Sequence, residues 1–243
     1  MNRKIKFAVI GLGHIGIKHV DAIIKDQNSE LIALADKVSF EEIKKKRQNE
    51  LSYLDRYKFY NNLSDVLKIP EVDVINICTP NSSHYEIASE SIKNGKHVLI
   101  EKPMTLNSKH AHLLVKQAEN QNKFVFCVMQ NRFSPTIMWL KKVIEQKKLG
   151  AIFSVHVNCF WNRNKSYYLS SDWHGKLDLD GGPLFTQFSH FIDILYWLFG
   201  DFLNINAKFS KFRKSDYIEF EDSGVLNFNF SSGPKATLNY STS

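Results

Sequence analysis

Ile5-Lys6-Phe7-Ala8-Val9-Ile10-Gly11-Leu12-Gly13-His14-Ile15-Gly16 is the stretch that decides the fold. An apolar run leads into a G-x-G-x-x-G turn, and helix-like periodicity begins at once. Gly11 permits a tight turn after the strand, Gly13 lets the backbone approach a pyrophosphate, and Gly16 lets the following helix pack against the sheet. The unpaired N–H groups and positive dipole end of that helix favour an anion. The motif alone carries little weight, and a glycine turn without a ligand is the competing reading. The context adds to it, because Asp36 closes the next apolar run. Its carboxylate can accept both ribose hydroxyls of an adenosine and repels a 2′-phosphate. This predicts NAD rather than NADP, although Lys37 beside it pulls the other way.

Outward from this turn, residues 1–130 alternate between strand and helix patterns. Strands are expected at 5–10, 30–35, 57–60, 72–78, 97–100 and 124–129, with helices at 14–26, 39–52, 63–68, 82–94 and 107–121. Most of the strands are near-continuous apolar runs, as strands covered on both faces are. Ser39 and Asn107 are placed to cap helix N-termini and Gly95 to end a helix. Regular alternation of this kind predicts an α/β doubly wound parallel sheet, a Rossmann domain.

The pattern changes after residue 130. A helix is expected over 134–148, a half-buried strand over 153–161, a polar aromatic-rich loop over 162–180 and one apolar helix over 183–199. Alternating runs follow at 202–210, 224–231 and 235–241. Residues 131–243 therefore read as an α+β domain on a one-sided, mostly antiparallel sheet. The last run alternates cleanly and stops two residues before the end of the sequence, so the sheet is expected to be C-terminally incomplete.

Composition bounds the function. Of the 243 residues 43% are hydrophobic and 23% charged, which is ordinary for a globular protein. The net charge of +7 suits an anionic ligand. The lysines are spread along the chain with no nucleic-acid-binding motif, so a nucleic-acid partner is not expected. The Lys44–Arg47 cluster lies among Glu41, Glu42 and Glu50 and reads as a solvated helix face. Cys78, Cys127 and Cys159 lack metal-site spacing and read as buried, reduced thiols. No metal is expected. No apolar run reaches the roughly 18–20 residues of a membrane span, and the first strand leaves no room for a leader, so the expected location is the cytoplasm.

Two further motifs carry chemistry. Cys78-Thr79-Pro80-Asn81 turns from a strand into a helix, with His84 one turn on. Asn81 or Ser82 would cap that helix whether or not the turn also touches a ligand. Glu101-Lys102-Pro103 follows the 97–100 strand. A lysine at a strand's carboxyl end can donate to a substrate hydroxyl, and desolvation lowers its pKa towards proton transfer.

Taken together, GLGHIG, Asp36, CTPNSSH (78–84), GKHVLIEKPM (95–104) and GGPLFTQFSHFIDILYWLFG (181–200) resemble the Gfo/Idh/MocA oxidoreductase family over essentially the whole chain. The resemblance implies NAD-linked hydride transfer at a sugar or polyol hydroxyl, with homo-oligomers formed through the second-domain sheet. It implies a cofactor-binding set of Gly11, Gly13, His14, Ile15, Gly16, Asp36, Thr79, Pro80, Asn81, His84, Glu101, Lys102 and Gln130. It also implies that the Lys102–Pro103 bond is cis, and that His190 is the catalytic histidine with Lys102 as its partner. The family commonly has Asp four residues before this histidine. Thr186 stands there, followed by Gln187, and Asp193 is expected to fix His190 or the helix packing. Substrate contacts are expected from Arg132, Trp173, Thr186 and Gln187. The Tyr-Tyr…Asp-Trp-His-Gly stretch (167–175) and Thr186 resemble the branch that oxidises a UDP-N-acetylhexuronate at C3 for surface polysaccharide. A catalytically silent NAD-binding regulator and an NAD-dependent glycosidase remain as alternatives.

Overall fold

A computed structural model describes residues 3–48, 50–213 and 215–243. The chain divides into two units, Met1–Val128 and Met129–Ser243.

The first unit runs β1 (Ile5–Ile10), α1 (His14–Lys25), β2 (Ser29–Ala35), α2 (Phe40–Lys46), β3 (Lys58–Tyr60), α3 (Leu63–Leu67), β4 (Val74–Ile77), α4 (His84–Lys93), β5 (His97–Ile100), α5 (Ser108–Asn120) and β6 (Val125–Cys127). Every strand pairing is parallel, in the order β3-β2-β1-β4-β5-β6. This is the doubly wound Rossmann order, with its reversal between β1 and β4. Alternation along β1 feeds two cores. Ala8 and Ile10 join Ile75, Ile77, Val98, Ile100 and Leu114 on one face, while Val9 joins Ile17, Val20, Ile23 and Leu34 on the other. Each such buried aliphatic side chain contributes about 1.5–3 kcal/mol. The three- and four-residue spacing of Gly16, Ile17, Val20 and Ile23 is what lays α1 on the sheet.

The second unit begins with a 3-10 turn (Gln130–Phe133) and runs α6 (Pro135–Glu145), β7 (Ser154–Phe160), α7 (Lys165–Leu169), α8 (Leu177–Asp180), α9 (Pro183–Thr186), α10 (Ser189–Phe199), β8 (Phe202–Ser210), β9 (Ser223–Phe230) and β10 (Lys235–Ser241). Its sheet is ordered β7-β10-β9-β8, with β7–β10 parallel and the other pairings antiparallel. Phe188 and Leu195 pack on Phe228, Phe230, Ala236, Leu238 and Tyr240. The opposite face is exposed and mixed: Asn239 donates to Asn158 at 2.8 Å and His156 pairs with Thr237, beside exposed Phe160, Leu203 and Val225. The sheet is thus one-sided, as the alternation predicts.

Ser39 and Asn107 cap α2 and α5, and Gly95 takes a positive φ after α4. Several expected elements are corrected. The helix expected over 39–52 stops at Lys46, because Gln48 adopts a left-handed φ of 51°. Lys44 and Lys46 pair with Glu41, Glu42 and Asp55, the solvated face read from the sequence. Neither Asn81 nor Ser82 caps α4: residues 81–83 form a 3-10 turn and Ser83 precedes the helix without a side-chain cap. The expected loop over 162–180 contains α7 and α8. The expected helix over 183–199 is two helices. Phe188 N–H reaches five residues back to the Pro183 carbonyl, which widens the turn and ends α9. Cys78 and Cys159 are buried free thiols, whereas Cys127 is only half-buried. Among the described residues no helix is long and apolar enough to cross a membrane.

Candidate functional site

The strand order of the first unit brings the carboxyl ends of β1, β4 and β5 side by side, and with them the three motifs. At the glycine turn each glycine has a distinct physical reason. A Cβ on Gly11 would lie 2.6 Å from the Cys78 carbonyl oxygen, and one on Gly16 would lie 1.9 Å from that of Gly11. Gly13 has nothing within 4 Å of its would-be Cβ, so a side chain there would fill open space rather than clash. That space is where a pyrophosphate would lie, at the N-terminus of α1, and the residues fit such a group. His14 and Ile15 are the first two residues of the helix.

Asp36, just beyond β2, accepts the Leu12 N–H on Oδ2 at 2.7 Å and the Val38 N–H on Oδ1 at 3.0 Å. Each oxygen keeps acceptor capacity for a ribose hydroxyl. The carboxylate borders an open groove of about 420 Å³ whose lining includes Leu12, Gly13, Ile43, Lys46 and Arg47.

Beyond β4, Thr79 receives a hydrogen bond from Ser83 at 2.8 Å, and Pro80 is exposed while Asn81 is buried. His84, expected in the cofactor-binding set, is held by two backbone carbonyls. It is wholly buried, with Nδ1 2.8 Å from the Pro103 carbonyl and Nε2 2.9 Å from that of Thr79. It therefore staples the β4 turn to the β5 turn. Burial pushes its pKa below the ordinary imidazole value, against the pull of the two carbonyls.

Glu101, from the same expected set, is also held by partners within the first unit. Its buried carboxylate faces His19 Nε2 at 2.8 Å and accepts the Lys102 N–H at 3.1 Å. Asn76, fully buried in β4, donates to His19 Nδ1 at 2.9 Å, so the ring proton sits on Nε2 and is given to Glu101. Burial raises the Glu101 pKa, but the His19 hydrogen bond, with the Lys102 backbone N–H and charge, outweighs it and holds the group lowered. Lys102 itself is half-buried, and the Lys102–Pro103 peptide is cis. Sequence reasoning missed His19 and Asn76. The available signal was an asparagine inside the apolar strand Val74-Ile75-Asn76-Ile77.

In the second unit Gln130 is exposed in the 3-10 turn. Arg132, expected on the substrate, makes a bidentate pair with Asp193 at 2.7 and 2.5 Å. Asp193 thus ties the turn to α10, which is the helix-packing half of its expected role. Gln187, also expected on the substrate, is 4% exposed and donates to the Tyr167 hydroxyl at 2.8 Å. Tyr167 stacks on His174 with centroids 4.5 Å apart, and Trp173 leans on His174 at 4.1 Å. Burial, with the Asp180 charge behind it, pushes the Tyr167 phenol up to about 12. Thr186 is half-buried and hydrogen-bonded to the buried carboxylate of Asp180, a residue the sequence reading passed over. His190 lies half-buried in the first turn of α10. Among the described residues no group of three or more His, Cys, Asp and Glu side chains could hold a metal ion.

Comparison with known proteins places this geometry. Residues 5–129 match the model of the oxidoreductase family with an NAD-binding Rossmann fold, and residues 137–243 match the Gfo/Idh/MocA C-terminal domain. The crystal structure of the WlbA dehydrogenase from Bordetella pertussis, in complex with NADH and UDP-GlcNAcA, superposes with a TM-score of 0.90. It is 32% identical, and the match covers 100% of this chain and 68% of that one. An uncharacterized oxidoreductase of Synechocystis sp. is 32% identical over 84% of this chain and 53% of its own length. Glucose-6-phosphate 3-dehydrogenase of Bacillus subtilis is 27% identical over 84% of this chain and 56% of its own. The chain spans about half the length of these curated relatives. With both its units matched in order, the chain belongs to the Gfo/Idh/MocA family of oxidoreductases.

Proposed function

We propose that this chain is part of an NAD-dependent dehydrogenase that oxidises a sugar-nucleotide hydroxyl, with C3 of a UDP-N-acetylhexuronate as the leading candidate. The observation that carries the proposal is Lys102 at the carboxyl end of β5, on a turn braced by His84 and Glu101. The likeness to WlbA, whose crystal structure contains NADH and UDP-GlcNAcA, supports the choice of substrate class.

In this reading Gly13 and the N-terminus of α1 bind the pyrophosphate, and Asp36 accepts the ribose hydroxyls. NAD, when bound, supplies the hydride acceptor. Lys102 donates a hydrogen bond to the reacting hydroxyl oxygen, and His190 takes the hydroxyl proton. Thr79, Pro80 and Asn81 form the neighbouring wall of the cofactor site, and Thr186 and Trp173 contact the sugar nucleotide. A homo-oligomer, formed through the open face of β7-β10-β9-β8, belongs to the same proposal.

The test is direct. Purified protein mixed with NAD and UDP-N-acetylglucosaminuronate should develop nicotinamide absorbance. Lys102→Ala and His190→Ala should each reduce the rate by about 100-fold or more. Full activity in either variant removes that residue from the chemistry, and NAD binding without turnover on any sugar returns the silent-regulator reading.

A further inference from the structure

Beyond β7 the chain stays bonded to the end of β10. Trp161 N–H donates to the Ser241 carbonyl at 2.9 Å, and Arg163 N–H to that of Thr242 at 2.8 Å. Arg213 Nη1 donates to the Arg163 carbonyl, so the main chain of Arg163 is held through both its polar groups. Asn164 then caps α7 by accepting the Tyr167 N–H at 3.0 Å, which turns the chain and brings Tyr167 back over Arg163. The Arg163 Cζ lies 4.2 Å from the centroid of the Trp161 ring and 4.4 Å from that of Tyr167. Two rings cannot share one face of so small a plane, so each covers one. Tyr167 stacks in turn on His174, and Gln187 fixes its hydroxyl. Attraction between the cation and the two ring faces holds the guanidinium in a set plane.

That plane is unused as a donor. Among the described residues Arg163 forms no ion pair, and none of its guanidinium N–H groups has a hydrogen-bond partner. The Asp180 carboxylate, whose charge reaches Tyr167 and His174, is engaged by the Gly175 N–H and the Thr186 hydroxyl. Nε of Arg163 is shut away from the surface, whereas Nη1 and Nη2 are not buried. With both faces covered, a ligand reaches only the terminal edge of the guanidinium. Two N–H groups lie there side by side, the fork that pairs with two oxygens of a carboxylate or phosphate.

We propose that Arg163 is a substrate-binding residue whose terminal N–H pair takes an oxyanionic group of the sugar nucleotide. The inference rests on the sugar-nucleotide reading above and adds to it the residue that recognises the charge. The Trp161 and Tyr167 rings orient the guanidinium in advance, so little side-chain freedom is lost on binding. Two groups of such a substrate have the required chemistry, the hexuronate carboxylate and the diphosphate. An uncharged polyol offers neither.

The experiment is calorimetric titration of UDP-N-acetylglucosaminuronate and of UDP-N-acetylglucosamine into the NADH-loaded wild type, Arg163→Met and Arg163→Lys. Methionine keeps an unbranched side chain between the rings and removes the charge and the donors. Arg163→Met should weaken UDP-N-acetylglucosaminuronate about tenfold or more. NADH affinity should be unchanged, because the glycine turn belongs to the first unit. Equal weakening of UDP-N-acetylglucosamine assigns the contact to the diphosphate. Weakening of the uronate alone assigns it to the carboxylate, and either result supports the inference. Arg163→Lys keeps the charge but cannot present two parallel donors, so it should recover less than half of the lost affinity. A wild-type Kd for UDP-N-acetylglucosaminuronate in Arg163→Met would overturn the inference while leaving the dehydrogenase reading intact. If that variant fails to fold, Arg163→Lys decides, since a wild-type Kd there refutes the two-pronged contact. A wild-type protein that binds no UDP-sugar overturns the parent reading, and this one with it.

Discussion

His19 and Glu101 are 82 residues apart in sequence, yet the imidazole Nε2 lies 2.8 Å from the carboxylate Oε1. The pair joins α1, the helix that opens at the glycine turn, to the turn that carries Lys102. Removing the imidazole by His19→Leu leaves the buried Glu101 carboxylate with the Lys102 N–H but without its side-chain donor. The first unit should lose about 1.5–3 kcal/mol, the cost typical of a hydrogen bond to a charged group. His19→Gln keeps an amide donor near the Nε2 position and should lose less. Denaturant unfolding of the three proteins checks the order.

Gly13 and Gly16 should separate binding from stability. Gly16→Ala places a methyl 1.9 Å from the Gly11 carbonyl oxygen, so α1 must shift and stability must fall. Gly13→Ala meets nothing within 4 Å at a φ of −64°, which alanine adopts readily. It should leave stability within about 0.5 kcal/mol of wild type. NADH affinity should nonetheless fall on the order of tenfold, equivalent to about 1.4 kcal/mol, because the methyl occupies the pyrophosphate's approach. Calorimetric NADH titration beside thermal unfolding distinguishes the two variants.

The Arg132–Asp193 pair makes a prediction for the second unit. Arg132→Ala strands a carboxylate whose side chain is only 10% exposed. Stability should drop by about 2–3 kcal/mol, less than for a fully buried pair because Arg132 keeps 30% exposure. Lysine cannot reproduce two parallel N–H donors, so Arg132→Lys should restore less than half of the loss. Chemical denaturation followed by intrinsic fluorescence measures both.

Stability should also depend on pH through His84. Its folded pKa is depressed by burial, so below the ordinary imidazole value the unfolded chain binds the extra proton. The stabilisation is complete above about pH 6.5 and is lost as pH falls towards the folded pKa. Glu101, also depressed, adds a second loss further down, below about pH 4.3 and through its own folded pKa. His84→Asn should reduce the first slope, to which His97 and His174, also depressed by burial, still contribute, and leave the second. Unfolding free energies measured across the acid range show whether the two steps separate.

Much of this was legible because the signals are local. Strand apolarity, the glycine spacing and the cap residues Ser39 and Asn107 each act within a few residues of the backbone they shape, and the parallel sheet follows from their alternation. The break between α9 and α10 was not legible, since the apolar pattern continues across it. A widened turn at Phe188, whose N–H reaches back to Pro183, decides it. His84, Glu101, Arg132 and Gln187 were read from the sequence for ligand contacts, and the partners that hold them within the fold were not foreseen. Each is committed to a partner 19 or more residues away, and no spacing rule encodes that. His19 and Asn76 were missed for the same reason, whereas Asp180 meets Gly175 and Thr186 only through the local fold of the 175–186 segment.

Asp36 sets a condition on any attempt to change the cofactor preference of this scaffold. Its carboxylate closes two backbone N–H groups, those of Leu12 and Val38, as well as facing the groove. Replacing it with a small neutral residue to admit a 2′-phosphate would orphan both donors and loosen the glycine turn for either cofactor. A successful switch must put an acceptor back for Leu12 before it adds a cation, so redesign has to begin with the backbone rather than with the ribose.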